Sequence, residues 1–172
     1  MRARTKLFVL ILTAIASLHL TACSGGGSGT SSPNPTPAIH NQWTWVGGAN
    51  FTGQSGIYGT EGIAAASNTP GARAEATSWT DPSGNFWLFG GNGNDAAGVS
   101  NLVIGGDYRN DLWKYSGGQW TWMGGSNLAD QPAVYGTQGT PALGNIPGPR
   151  FTAASWTDSA GSLWLFGGAP TP

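Results

Sequence analysis

Apolar and polar positions along this chain fall into two regimes. Leu7–Leu20, "LFVLILTAIASLHL", is one apolar run behind the basic start "MRARTK". From about Trp43 onward no apolar pattern of helical period occurs. Short runs there alternate large and small or polar residues and close on Gly, Pro, Asn or Asp, which predicts short β-strands joined by turns. "RAEATSWT" (Arg73–Thr80) reads as a first strand ending in a "DPSG" turn, and "NFWLFGG" (Asn85–Gly91) as a second, closed by a Gly pair. "NDLWKY" (Asn110–Tyr115) places Leu112 and Lys114 on one face and Trp113 and Tyr115 on the other. "QWTWMGG" (Gln119–Gly125) sets Trp120 and Trp122 side by side on one surface. Tight connections between consecutive strands predict a four-stranded antiparallel meander.

The pattern occurs twice. Residues 42–91 match residues 119–168 without a gap, at an offset of 119 − 42 = 77. "QWTWVGGAN" answers "QWTWMGGSN", "PGAR" answers "PGPR", and "FWLFGG" answers "LWLFGG". Such self-similarity marks a duplicated structural unit, and each copy is expected to fold alike.

Within the unit the order is specific: a strand ending in Gly90 and Gly91, then "NDLWKY" with Tyr115, then Trp120 and Trp122. Gly167 and Gly168 repeat the Gly pair. This order resembles the kelch repeat, the four-stranded blade of kelch-type β-propellers, which include the central domain of galactose oxidase. The resemblance covers residues 43–168. It implies an all-β fold, a partial kelch-type β-propeller of about one and a half to two four-stranded blades. The unit is longer than the ~50 residues of an ordinary kelch repeat, and the excess lies in long loops.

Composition and charge add the setting. The apolar run is short for a membrane span, so residues 1–22 read as a signal peptide. "LTAC" (Leu20–Cys23) resembles the lipobox of bacterial lipoproteins, which implies a lipid on Cys23. Ser24 follows where such lipoproteins carry Asp for inner-membrane retention, so the resemblance favours the outer membrane and the cell surface. Residues 23–42, rich in Gly, Ser and Pro, read as a tether, leaving 43–172 as the folded part. That part carries four cations against eight acids, a net charge of 4 − 8 = −4, which argues against a nucleic-acid partner.

The long loops all fall on one edge of the meander, where a rigid scaffold would present a ligand surface. They repeat Tyr58 and Tyr135, Gln54 and Gln131, Asn50 and Asn127 at the same offset. Aromatic rings beside amides suit a glycan, and the same repetition suits a structural turn. Arg73 and Arg150 open the first strand of each copy. They read either as a ring of Arg facing an acidic ligand or, with more weight, as structural cations bonded to loop carbonyls. "GNGNDAAG" (Gly91–Gly98) lacks the acid count of a calcium loop and reads as a turn, and Asp81 and Asp158 read as hairpin residues.

No catalytic residue, cofactor or metal site is expected. A galactose-oxidase-like copper site would need two His, two Tyr and a Cys. Here His19 falls in the leader, His40 in the tether, and Cys23 is the lipid site. The folded part contains neither His nor Cys, so no Ser–His–Asp or Cys–His set can form. The expected function is therefore that of a membrane-anchored binding or interaction module, with a glycan-directed or sugar-modifying propeller as the alternative. A closed propeller needs roughly four to eight blades. This chain offers one complete blade from Arg73 to Met123, and an isolated fourth strand is expected at Trp43–Val46. Two more strands follow at Arg150–Gly168, after which "APTP" stands in place of the long loop. The count favours a fragment of a longer propeller over a ring completed by self-association or by a partner chain.

Overall fold

The structure, a computed structural model, describes residues 43–98 and 107–170. The expected signal peptide, the lipid site Cys23 and the tether lie outside them. The chain divides into two units between Gly48 and Ala49. All the strands lie in the larger unit, and no helix occurs among the described residues.

The first copy builds a four-stranded antiparallel sheet from β2 (Thr77–Thr80), β3 (Phe86–Phe89), β5 (Leu112–Ser116) and β6 (Gln119–Gly124), in the spatial order β2-β3-β5-β6. Sequential neighbours pair, as the alternating runs and tight turns require. Its register sets Leu88 beside Trp113, Trp113 beside Trp122, and Tyr115 beside Trp120. Strand alternation therefore gathers Leu88, Trp113, Trp120 and Trp122 on one face. Trp113 is fully buried there, with Tyr58 from the preceding loop packed on it. The ring centroids of Tyr58 and Trp113 lie 4.9 Å apart, and Trp122 meets Tyr58 edge-on at 5.3 Å. The opposite face carries Trp79, Trp87 and Lys114, whose Nζ sits 5.4 Å from the Trp87 ring centroid.

The expected first strand, Arg73–Thr80, is two strands. β1 (Arg73–Ala74) pairs with β4 (Asn92–Gly93), whereas β2 pairs with β3. Between β1 and β2 the chain turns at Glu75, which has φ 59°. Alternation cannot continue through a left-handed residue. Gly91 is what permits this close crossing: a Cβ there would stand 2.6 Å from the Ala74 carbonyl oxygen and 2.9 Å from the Ala76 nitrogen.

The second copy repeats the plan with fewer strands. β7 (Arg150–Phe151) and β8 (Ala154–Thr157) are split at Thr152, φ 53°. β8 pairs with β9 (Leu163–Phe166), and β7 pairs with β10 (Ala169–Pro170). The pairing of Phe151 with Ala169 reproduces that of Ala74 with Asn92, one repeat length on. So "APTP" does not break the pattern where it begins: Ala169 and Pro170 form the counterpart of β4.

The two copies pack face to face. The Trp79 indole donates to the Trp164 carbonyl at 2.9 Å. Ser155 Oγ donates to the Ser78 carbonyl and Thr157 Oγ1 to the Thr80 carbonyl, each at 3.2 Å and each across one repeat length. Backbone bonds from Gly91 N to the Arg150 carbonyl (2.9 Å) and from Thr152 N to the Glu75 carbonyl (3.0 Å) tie the two copies near their left-handed bends. The result is an all-β fold of antiparallel sheets, with no closed ring among the described residues.

In the smaller unit, the described residues Trp43–Gly48 form no strand. Trp43 and Trp45 are exposed, and the Trp45 indole donates to the nearby Gly47 carbonyl at 2.8 Å. This corrects the expectation of a fourth strand at Trp43–Val46. The matching residues of the other copy, Trp120–Met123, are held by the ladder to β5. The sequence has no second "NDLWKY" to hold these, and a strand without a ladder leaves its backbone groups to water.

Candidate functional site

The first copy holds a buried polar cluster in its apolar interior. Arg73 enters from β1 and Asp111 from the residue before β5. Arg73 Nη1 donates to Asp111 Oδ1 at 2.7 Å and Nη2 to Oδ2 at 2.8 Å, a bidentate pair with both side chains essentially out of solvent. Nη1 also donates to the Gly90 carbonyl and Nε to that of Gly71. Asp111 Oδ2 further accepts the Tyr58 hydroxyl at 2.7 Å and the Trp113 indole at 2.8 Å. Burial opposes the charge on both partners, but the mutual attraction and the hydrogen bonds outweigh it. Arg73 is held above, and Asp111 below, its ordinary pKa. Tyr58 is pushed up, first by burial and then by the Asp111 charge, so its hydroxyl stays a donor. Tyr58, a candidate for the ligand face, thus lies in the interior, and Arg73 takes the more heavily weighted of its two readings, a structural cation bonded to loop carbonyls. Asp111, which completes the cluster, escaped the sequence reading. Its signal was an acid next to "LW", just before β5 of the four-stranded sheet.

The second copy presents the same cradle without the acid. Arg150 Nε donates to the Gly148 carbonyl (3.0 Å) and Nη1 to the Gly167 carbonyl (2.9 Å), the counterparts of Gly71 and Gly90. Its Nη2 donates to the Tyr135 hydroxyl at 2.9 Å. Tyr135 is 65% exposed, where Tyr58 is 5% exposed. Among the described residues no carboxylate forms an ion pair with Arg150. The surrounding loops match. Val134 bridges Ile146 as Ile57 bridges Thr69, and Asn145 Nδ2 reaches the Thr140 carbonyl as Asn68 Nδ2 reaches that of Ile63. The two cradles differ in what lies over them.

The long loop of the first copy covers its four-stranded sheet. Gly62 N donates to the Trp122 carbonyl at 2.7 Å, and Ala65 bridges Trp120, so the loop runs along the outer edge of β6. Amides tie this loop to its surroundings: Asn94, just after β4, donates through Nδ2 to the loop's Gly53 carbonyl, and the loop's Asn68 donates through Nδ2 to the Trp120 carbonyl of β6. In the second loop, Gln131 Nε2 donates to the Ala129 carbonyl. In "GNGNDAAG", Asp95 accepts the Ala97 and Ala129 amides, as a turn residue does. Arg109, fully buried, donates through Nη2 to the Gly93 carbonyl and sits 3.9 Å from Asp95. Asp81 and Asp158 each close a hairpin, with two backbone amides on Oδ1 and an indole, Trp87 or Trp164, on Oδ2. The indole bond is the main cause that lowers both carboxyls, Asp81 to about 2.

One further surface stands out. Trp156 and Trp164 stack with nearly parallel rings on the open face of β8 and β9, with centroids 5.7 Å apart and planes at 3°. Both are about half exposed, and Phe166 beside them is 71% exposed. Of their counterparts in the first copy, Trp79 is buried and donates to the Trp164 carbonyl of the second copy. Among the described residues no group of three or more His, Cys, Asp or Glu could hold a metal ion, and no helix is long and apolar enough to cross a membrane. No family model, curated protein or solved structure matches the chain.

Proposed function

We propose that the chain is a binding and interaction module of kelch-type blades, held on the bacterial envelope, more specifically the outer membrane, by a lipid at Cys23. In this reading the two copies are neighbouring blades of a longer propeller, and the module has no catalytic residues. The supporting observation is the bare aromatic face of Trp156, Trp164 and Phe166. In the first copy the matching face is covered by another blade, and exposed aromatic patches of this kind mark interaction surfaces. Burial of the polar cluster supports the same reading: the bidentate Arg73–Asp111 pair has both side chains out of solvent and ties β1 to the start of β5.

The test uses the full chain with Cys23→Ser, which also moves it from the membrane fraction to the soluble one. Light scattering after size exclusion should show a species larger than one chain, and Trp156→Ser with Trp164→Ser should reduce it to one chain. A single-chain species that the substitutions leave unchanged contradicts the proposal. A glycan-directed role draws support from the same half-exposed Trp pair, since ring faces pack on sugar C–H groups. A glycan array on the same chain decides it, and no retained glycan ends it.

A further inference from the structure

We infer that the loop of residues 57–69 guards the outer edge of β6, and that the contact it prevents is antiparallel pairing of β6 with the β6 of a second copy of this chain. The inference concerns a different edge from the Trp156 and Trp164 face and does not rest on the proposed interaction role. β6 is the last strand in the order β2-β3-β5-β6, so one side of it lies outside the ladder. Gln119–Gly124, "QWTWMG", is rich in aromatic side chains and carries no charge. A strand of that kind with a free edge is a template for pairing with another chain. The edge is also self-complementary: two such strands related by a two-fold axis meet with no like charges opposed.

The loop engages alternate carbonyls along that edge. Gly62 N donates to the Trp122 carbonyl at 2.7 Å and Asn68 Nδ2 to the Trp120 carbonyl at 3.2 Å. Ala65 bridges Trp120 in the antiparallel sense. The next alternate carbonyl, that of Gly124, accepts the Trp122 indole at 2.8 Å. Tyr58, near the root of the loop, is fastened through its hydroxyl to Asp111. The loop forms no strand of its own, so it closes one edge without opening another.

The guard also holds its own shape. Ile57 and Thr69 exchange two backbone bonds of 2.9 Å, Ile63 N reaches the Thr60 carbonyl, Asn68 N that of Ala65, and Asn68 Nδ2 that of Ile63. Every one of these bonds recurs one repeat length on. Val134 and Ile146 exchange two, Thr140 N reaches the Thr137 carbonyl, Asn145 N that of Ala142, and Asn145 Nδ2 that of Thr140. In the second copy they form with no strand beneath the loop among the described residues. The shape therefore belongs to the loop, and docking on β6 is added to it. Asn68 is the joint: its amide holds the loop through Ile63 and the strand through Trp120.

The test uses the full chain with Cys23→Ser, Trp156→Ser and Trp164→Ser, so that association through the Trp face is removed. Asn68→Asp takes away the amide donor and sets a carboxylate against the Trp120 carbonyl. Asn145→Asp does the same damage inside the second loop, away from β6. Hydrogen exchange of the Gln119–Gly124 amides should run about tenfold faster in Asn68→Asp and stay unchanged in Asn145→Asp. Light scattering at rising concentration should show Asn68→Asp passing from one chain to two, with Asn145→Asp remaining at one. Adding Met123→Lys, a charge at an exposed position of β6, to Asn68→Asp should restore the single chain and keep the fast exchange. That variant separates edge pairing from loss of the fold, which a lysine on β6 does not repair. Unchanged exchange in Asn68→Asp, a single chain at every concentration, equal association of the two Asn variants, or association that survives Met123→Lys would overturn the inference.

Discussion

Arg73 and Arg150 occupy equivalent positions of two matching sequence copies, and one is interior while the other is half-exposed. Both follow a Pro-Gly turn, both bond the same pair of glycine carbonyls, and both stand beside a loop tyrosine. Among the described residues, only the first has a β5 strand over it. With β5 come Asp111, Trp113 and the loop cover, and a half-exposed cation becomes one arm of a buried bidentate pair. Local sequence set the pose of the arginine. A strand nearly 40 residues away, 111 − 73 = 38, set its environment.

The largest way to break this contrast is to remove the apolar half of the first cluster. Trp113→Ala should cost about 3–5 kcal/mol, since it empties a fully buried site and strips Asp111 of a donor. Trp164→Ala, on the open face, should cost about 1 kcal/mol or less. Urea unfolding of both variants measures the gap.

Acid should act on the same contrast. The folded pKa of Asp111 is depressed, so its contribution is complete above the ordinary Asp value of about 3.9 and is lost as pH falls below it. Asp81 and Asp158 are lowered too and add in the same direction. The urea midpoint should drop steeply below about pH 4. Asp111→Asn should lower the midpoint at neutral pH and flatten that drop, leaving the share of the two hairpin acids.

A smaller effect sits at the paired bends. Thr152 and Glu75 adopt the same left-handed conformation, φ 53° and 59°, but only Thr is β-branched. Thr152→Gly should raise stability by about 1 kcal/mol and Glu75→Gly by less, as the strain relieved is larger for the branched side chain. Thermal midpoints of the two variants check the order.

Much of this architecture was legible in the residues. Alternation placed β2, β3, β5 and β6, and it put Trp113, Trp120 and Trp122 on one face. The duplication foretold matching loops, and the Asn68 and Asn145 bonds, not singled out in the sequence, agree with it. The break at Glu75 and Thr152 was not legible. Neither residue favours a left-handed bend, and the cause is a close backbone crossing at Gly91 that exists only in three dimensions. Trp43–Val46 has the sequence of β6 but not its partner, and a strand is a property of a pair. Tyr58 and Tyr135 look equal in sequence. Their exposures of 5% and 65% follow from what the remote chain lays over them.

The most direct test is a side-by-side denaturation of Arg73→Ala and Arg150→Ala in the full chain with Cys23→Ser. Removing Arg73 leaves Asp111 buried without its counter-charge and should cost about 3–5 kcal/mol. Removing Arg150 breaks only half-exposed contacts and should cost about 1 kcal/mol or less. Equal losses at the two positions would contradict the account, because they would mean that β5 and its carboxylate do not distinguish the two copies.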